Sequence, residues 1–401
     1  MRPLRSGLVG IHVGLALFAL LARNGVLAQD EAFLIKEYVR AYYIPTYGDS
    51  STKFSQSVTK LGDVNGDGIM DLAAGSPRDG LSNDGSVILM YLNRAGGWSG
   101  YALIEAMQLG LPTGRGAEIG WAVAALDDSN GDGVQDVAIT SIGTNAGSPY
   151  PEGAVHLVQL TTDGAVVSSQ TINGTDLGAS EGDDFGYGLA AVGAWDTGLS
   201  AAAGTAQDLL VGAPGMGGDG CLFLLRARDG FSHESGVNSV CAAAVDAAGG
   251  SDGLLSVGTK GLGFSLAHLG GRRVAAGAPY ADEGRGRLWL LTLGDDLSVG
   301  SGGAVQVDAA GTLGLEENCF FGSSVAVLSS STLVGGGGPS GVDLDGSLDT
   351  LDLAVGAERF QGVEADSGAV FILVVRKPYA ACSHALAAGK QRLTLDRCLA
   401  G

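Results

Sequence analysis

Cationic side chains are scarce in this sequence. Lys and Arg number 23 against 43 Asp and Glu in 401 residues, a formal net charge of −20. A chain so acidic repels phosphate backbones, which excludes nucleic acid as a partner. Proline is sparse at ten residues, and glycine keeps no Gly-X-Y period, which excludes a collagen-like rod. Charged residues make up only 16% and hydrophobics 45%, too much apolar material for a disordered chain. The five histidines are scattered, and neither an H-E-x-x-H pair nor a G-x-S-x-G elbow occurs. Gly215-Met216-Gly217-Gly218-Asp219-Gly220 fits G-x-G-x-x-G, yet strand-like Leu222-Phe223-Leu224 follows instead of a helix. Dinucleotide binding fails that context test, and the chain reads as a non-enzyme.

Glycine, in contrast, is plentiful: 68 residues, where an average protein has about 7%. Each glycine inside a helix costs about 1 kcal/mol relative to alanine, so a helical bundle is excluded. Short apolar strands joined by many turns fit better. Length alone, at roughly 150 residues per domain, suggests two or three domains.

The N-terminus sets the compartment. Arg2 and Arg5 precede an apolar stretch from Gly7 to about Ala22, and Val26-Leu27-Ala28 leads into Gln29-Asp30. A basic start, a short apolar run and small residues before a cut describe a secretory signal peptide over residues 1–28. No later stretch is apolar enough to span a bilayer, so the chain is expected to be secreted or held at the cell surface. In such a compartment Cys221 pairs locally with Cys241 and Cys382 with Cys398, leaving Cys319 odd, although spacing alone does not fix connectivity. Asn173-Gly174-Thr175 is a glycosylation candidate, which makes the chain a candidate glycoprotein.

One pattern recurs five times, roughly every 65 residues. It opens with Phe54-Ser55-Gln56, Ile119-Gly120-Trp121, Phe185-Gly186-Tyr187, Leu262-Gly263-Phe264 and Phe321-Gly322-Ser323. A second element follows in each unit, as in Asp71-Leu72-Ala73-Ala74-Gly75-Ser76-Pro77 and Asp208-Leu209-Leu210-Val211-Gly212-Ala213-Pro214. The third is a glycine-led apolar run, from Gly85-Ser86-Val87-Ile88-Leu89 to Gly368-Ala369-Val370-Phe371-Ile372. Runs of four to seven residues bounded by Gly, Pro or Asp are strands. Glycine and alanine within the second strand suit a place where backbones crowd, as at the axis of a radial assembly. Three marked strands and a variable fourth make one sheet per unit, and stacked sheets protect their edges as a β-propeller.

Two loops between the first and second strands carry the chemistry. Asp63-Val64-Asn65-Gly66-Asp67-Gly68-Ile69-Met70-Asp71 and Asp128-Ser129-Asn130-Gly131-Asp132-Gly133-Val134-Gln135-Asp136 both fit D-x-N-x-D-G-x-x-D. Side-chain oxygens at positions 1, 3, 5 and 9 and the carbonyls of Ile69 and Val134 can converge on one hard cation, which favours Ca²⁺. An EF-hand would need Glu at position 12, where Ala74 and Ile139 stand. A plain Asn-Gly turn is the blander rival. Unit three keeps only Asp208, and unit four has Gly270-Gly271-Arg272-Arg273 with no carboxylate. Unit five has Asp343, Asp345 and Asp349, but Asp352 falls one residue late, a degraded third candidate.

Phe-Gly at the start and Gly-Ala-Pro in the middle resemble the FG-GAP repeat of integrin alpha-subunit propellers, over roughly residues 54–375. Related repeats occur in the propeller of glycosylphosphatidylinositol-specific phospholipase D. The resemblance implies an all-β fold of four-stranded blades over residues 29–377, with five blades marked and room for a sixth. It also implies calcium in the hairpins between first and second strands, and a partner-binding face at the other end, near Tyr150, Tyr280 and Phe360. Integrin propellers have seven blades, which this chain is too short to make. Residues 29–53 and 378–401 either close the ring with an exchanged strand, or form a degraded sixth blade, or mark a truncation; the tail is also a candidate for disulfide linkage. The implied role is protein recognition or adhesion, with a carbohydrate-binding propeller, or the accessory part of a secreted hydrolase, as alternatives.

Overall fold

The computed structural model describes residues 53–394, apart from 81, 95–96, 144–151, 196–206, 228–237, 250–259, 309–312, 314, 331–349, 360–367, 377–379 and 387–391. Residues 1–28, where a signal peptide is expected, Tyr150, Phe360 and the Asp343, Asp345 and Asp349 candidates lie outside the described residues. The side chains of Cys382 and Cys398 do too.

Five antiparallel sheets follow one another along the chain. Blade one is β1 (Val58–Gly62), β2 (Asp71–Ser76), β3 (Ser86–Leu92) and β4 (Trp98–Glu105). Blade two is β5 (Ile119–Ala125), β6 (Val137–Ser141), β7 (Ala154–Leu160) and β8 (Val166–Asn173). Blade three is β9 (Leu189–Gly193), β10 (Gln207–Ala213), β11 (Cys221–Ala227) and β12 (Asn238–Cys241). Blade four is β13 (Ser265–Gly270), β14 (Arg273–Ala278), β15 (Arg287–Leu293) and β16 (Val299–Asp308). Blade five holds β17 (Phe321–Ser330), β18 (Thr350–Ala357), β19 (Ala369–Arg376), β20 (Ala380–Leu386) and β21 (Arg392–Thr394). Each sheet is a meander in strand order, and the chain is a five-bladed β-propeller.

Blade five has a fifth strand. β20 pairs with β19 from Val370–Leu386 to Arg376–Ala380, and β21 pairs with β20. Residues beyond 377 therefore supply the outer strands of the last blade and form no sixth sheet among the described residues. A helix at Ala242–Ala248 is also absent from the repeat pattern. It follows β12 and buries Ala242 and Val245 in the seam between blades three and four.

The repeated residues build the seams. Ile119, Phe185, Leu262 and Phe321, the openers of blades two to five, are all fully buried, and each sits in a separate apolar cluster shared with the preceding blade. Burying such a side chain contributes about 2–3 kcal/mol. Each opener also donates its backbone N–H backwards, to Asp84, Glu152, Asp219 and Arg285 carbonyls at 2.8–3.1 Å. Every acceptor is the residue before the glycine that leads the third strand of the previous blade.

Glycines let the backbones come that close. A Cβ on Gly212 in β10 would lie 1.9 Å from the Gly263 carbonyl oxygen of the next blade, and Gly75 and Gly277 meet Gly120 and Gly322 in the same way. Expected crowding at the axis is thus observed, and the two glycines of the motif face each other across three of the seams. Gly356 differs, for its Cβ would meet Ser324 of its own blade.

The opener is flanked by left-handed residues in every blade. Those before it are Lys53, Glu118, Asp184, Gly261 and Phe320; those after it are Ser55, Gly120, Gly186, Gly263 and Gly322. Ser55, buried and at φ +63°, replaces the glycine used elsewhere. Left-handed geometry costs a non-glycine residue about 1–2 kcal/mol, partly offset by the entropy glycine loses. Ser55→Gly should therefore raise stability by about 0.5–1 kcal/mol, read as a higher urea midpoint.

Candidate functional site

The strands carry two distinct ends. β5 begins at Ile119-Gly120-Trp121 and finishes beside the Asp128–Asp136 loop, so the Asp loops lie at the end of the strands opposite the openers.

In the first Asp loop the side chains of Asp63, Asn65 and Asp67 are gathered at an exposed tip. Asp63 accepts the N–H groups of Asp67 and Gly68 at 2.9 and 2.8 Å, and Asn65 Oδ1 accepts Asp67 N–H at 3.0 Å. Asp67 Oδ1 accepts the N–H of Ile69 at 2.8 Å. Gly66 and Gly68 take φ +75° and +82°, with open space where a Cβ would stand. The second loop repeats the arrangement: Asp128 takes Gly131, Asp132 and Gly133 N–H, and Asp132 takes that of Val134. Asn130 Oδ1 accepts Asp132 N–H, and Val134 is buried. Desolvation alone would raise the Asp128 pKa, but the backbone N–H donors outweigh it and the pKa is lowered.

The closing residues play another part. Asp71 is fully buried; its Oδ2 accepts Val64 N–H at 3.0 Å and Asn65 N–H at 3.4 Å, and its Oδ1 accepts Leu92 N–H at 2.9 Å. Asp136 takes Ser129 N–H and Oγ–H on one oxygen and Leu160 N–H on the other. Desolvation holds both carboxyls above the ordinary range, against the pull of these donors. Asp208 and Asp352, in blades that lack the full motif, are equally buried, and Asp208 accepts Trp195 N–H at 2.8 Å. In blade four the same position is Arg273, whose guanidinium donates to the Gly270 and Leu269 carbonyls. Asp71 and Asp136 therefore staple their loops to the sheet, whatever the loop tips bind.

Do these groups suit a cation? All the candidate donors are hard oxygens. Each closing carboxylate spends three of its roughly four acceptor sites and keeps one. The tip oxygens of Asp63, Asn65 and Asp67, with the Ile69 carbonyl, complete a set of the right chemistry, and Asp128, Asn130, Asp132 and Val134 match it. Among the described residues, no group of three or more His, Cys, Asp or Glu stands assembled as a metal cluster. The loop oxygens are turned onto the loop's own N–H groups.

At the other end lies a string of aromatic side chains. Five rings run in line: Trp121 to Tyr187 at 4.6 Å, Tyr187 to Phe264 at 4.4 Å, then Tyr280 and Phe320 at 5.6 Å steps. Lys53 Nζ lies 4.3 Å over Trp121, and the Arg359 guanidinium 5.2 Å over Phe320. Acidic groups stand beside the string. Glu118 is buried and pairs with Arg78 at 3.2 Å. Desolvation, then Asp183 and Glu118, raise the Asp184 pKa, and desolvation with Glu358 and Asp184 raises that of Tyr280. Burial first, then Arg78, lowers the Lys53 pKa, while Glu118 and Glu358 oppose them. Tyr280 is 47% exposed and opens the string to solvent.

Sequence periodicity held this signal. Trp121, Tyr187 and Phe264 each stand two residues after an opener, and Lys53, Glu118, Asp184 and Phe320 one residue before it. Gly215–Gly220, by comparison, forms a turn between β10 and β11 that includes a short 3-10 helix, Met216–Gly218.

The architecture defines a repeat-built β-propeller. Residues 55–90, spanning β1 to β3 and the first Asp loop, match the FG-GAP repeat family. That match and the five blades are consistent with an integrin-alpha-like propeller. Among the described residues no helix is long and apolar enough to cross a membrane. Cys221 and Cys241 face each other on β11 and β12 and are disulfide-bonded, as their spacing suggested, and Cys319 is buried.

Proposed function

We propose that this chain is a secreted or cell-surface calcium-binding propeller that recognises an extracellular protein and has no catalysis of its own. The aromatic string carries this reading. Tyr and Trp with Arg are enriched in protein-binding surfaces, since they give rigid contact area with a polar tip. Here they converge with charges of both signs at one end of the propeller. Calcium is assigned to the opposite end, at Asp63, Asn65, Asp67, Ile69 and Asp71 and at Asp128, Asn130, Asp132, Val134 and Asp136. A bound cation there would supply the positive charge that offsets the gathered carboxylates and so would rigidify the two hairpins.

Calorimetric titration of calcium into chelator-treated protein should show about two sites of millimolar or tighter affinity, with a raised melting temperature. Asp67→Ala should remove one site and spare the other. No heat and no stabilisation, in protein shown to be folded, sinks the metal assignment. For recognition, arrays of matrix proteins and glycans should give protein hits that Tyr280→Ala abolishes. Hits confined to glycans would replace the protein reading with a lectin one. Secretion is checked by N-terminal sequencing of exported protein, which should begin at Gln29.

A further inference from the structure

Three Asn-Gly steps follow the leader: Asn65-Gly66, Asn130-Gly131 and Asn173-Gly174. Two of them occupy the same place in the two Asp loops, and they differ at the glycine N–H. We propose that Asn65 is a self-modifying site, which deamidates through attack by the Gly66 backbone nitrogen and so turns the third position of the first Asp loop into a carboxylate.

The geometry supports each step. Gly66 is exposed, lies at φ +75°, and has nothing within 4 Å of where a Cβ would be. Among the described residues its N–H has no acceptor, so the attacking atom is unencumbered. Asn65 Oδ1 accepts Asp67 N–H at 3.0 Å, which polarises the amide carbonyl and stabilises the oxyanion formed by attack. The Gly66 nitrogen gives its proton to solvent as the bond to Asn65 Cγ forms. The Cγ–NH₂ bond then breaks and ammonia leaves with a proton. Water opens either C–N bond of the resulting five-membered imide, yielding aspartate or isoaspartate with one new negative charge. No oxidant or cofactor is consumed.

The other two steps serve as internal comparisons. Gly131 N–H is held by the Asp128 carboxylate at 2.6 Å, a charge-assisted bond that must break before attack. Gly174 is buried, and its N–H donates to the Gly153 carbonyl at 2.9 Å. The order of reactivity should therefore be Asn65, then Asn130, then Asn173. This proposal stands whether or not the loops bind calcium. Its product places carboxylates at positions 1, 3 and 5 of one loop, whereas its isoaspartate product lengthens the backbone there.

The test uses the full chain, free of added metal, incubated at mildly alkaline pH in water enriched in heavy oxygen. Peptide mapping then reads label incorporation and isoaspartate at each Asn-Gly. Asn65 should convert about tenfold faster than Asn173, since the latter must first lose a hydrogen bond and its packing. In denaturant the three rates should converge. Asn65 converting no faster than Asn173, Asn130 converting fastest, or the same order persisting in denaturant would each overturn the proposal. Asn65→Gln, in which the ring closure is disfavoured, should remove the fast phase and leave the other two sites unchanged.

Discussion

Gly212→Ala loses at least about 3 kcal/mol of stability in a urea melt, and at the upper end leaves no folded protein. The added Cβ would stand 1.9 Å from the Gly263 carbonyl oxygen, 2.7 Å from its carbon and 2.9 Å from its Cα. All three atoms are main chain, and two hydrogen bonds fix them nearby: Gly212 N–H to the Gly188 carbonyl, and Gly263 N–H to the Gly277 carbonyl. No rotamer change relieves the clash, so the seam between blades three and four must widen. Gly178→Ala is the control. Gly178 has φ +88° but open space around it, so alanine there should cost only about 1 kcal/mol. Equal losses at the two positions would show that backbone conformation, and not the close approach between blades, governs the effect.

Acid should destabilise the molecule through one buried ring. His156 in β7 is fully buried between Ser141 Oγ and Thr171 Oγ1, each 2.9 Å from a ring nitrogen. Desolvation lowers its pKa from the ordinary histidine value to about 4. The folded state thus holds the neutral imidazole, while the unfolded chain gains a proton below about pH 6.5. The stability tied to this group is complete above pH 6.5 and is lost as pH falls towards 4, by about 3 kcal/mol in all. Other groups titrate in that window, so the difference between wild type and His156→Gln isolates the term. Glutamine keeps polar contacts with both hydroxyls and does not titrate. Urea midpoints taken between about pH 7 and pH 4 should fall more steeply for wild type. Parallel falls would place the acid sensitivity elsewhere.

Much of the fold was legible because glycine and the openers recur at a fixed place in every unit. Seams between blades leave no choice at those positions: the opener must fill the gap, and glycine must admit a neighbouring carbonyl. The outer strands of the last blade, β20 and β21, carry no repeat motif, so the sequence pattern stops short of them. The Ala242–Ala248 helix escaped for a similar reason, as an alanine-rich insertion shows no repeat. At the Asp loops the residue types gave the chemistry of the donors. They did not show that Asp71 and Asp136 act as staples, which emerged only when Asp208 and Arg273 proved to fill the same position. The aromatic string was scattered over residues 121 to 320, and only folding lines those rings up.

Beneath the apolar packing, the joint between blades repeats in main chain: an opener N–H given to a carbonyl at four seams, and at three of them a glycine set against a glycine. Such a coupling is indifferent to which blade stands on either side, as with interchangeable machine parts that share one fitting. Loops at either end are then free to diverge blade by blade, so two units can keep Asp loops while a third carries a bare turn with arginines. The number and order of blades become variables separate from the chemistry that each blade displays.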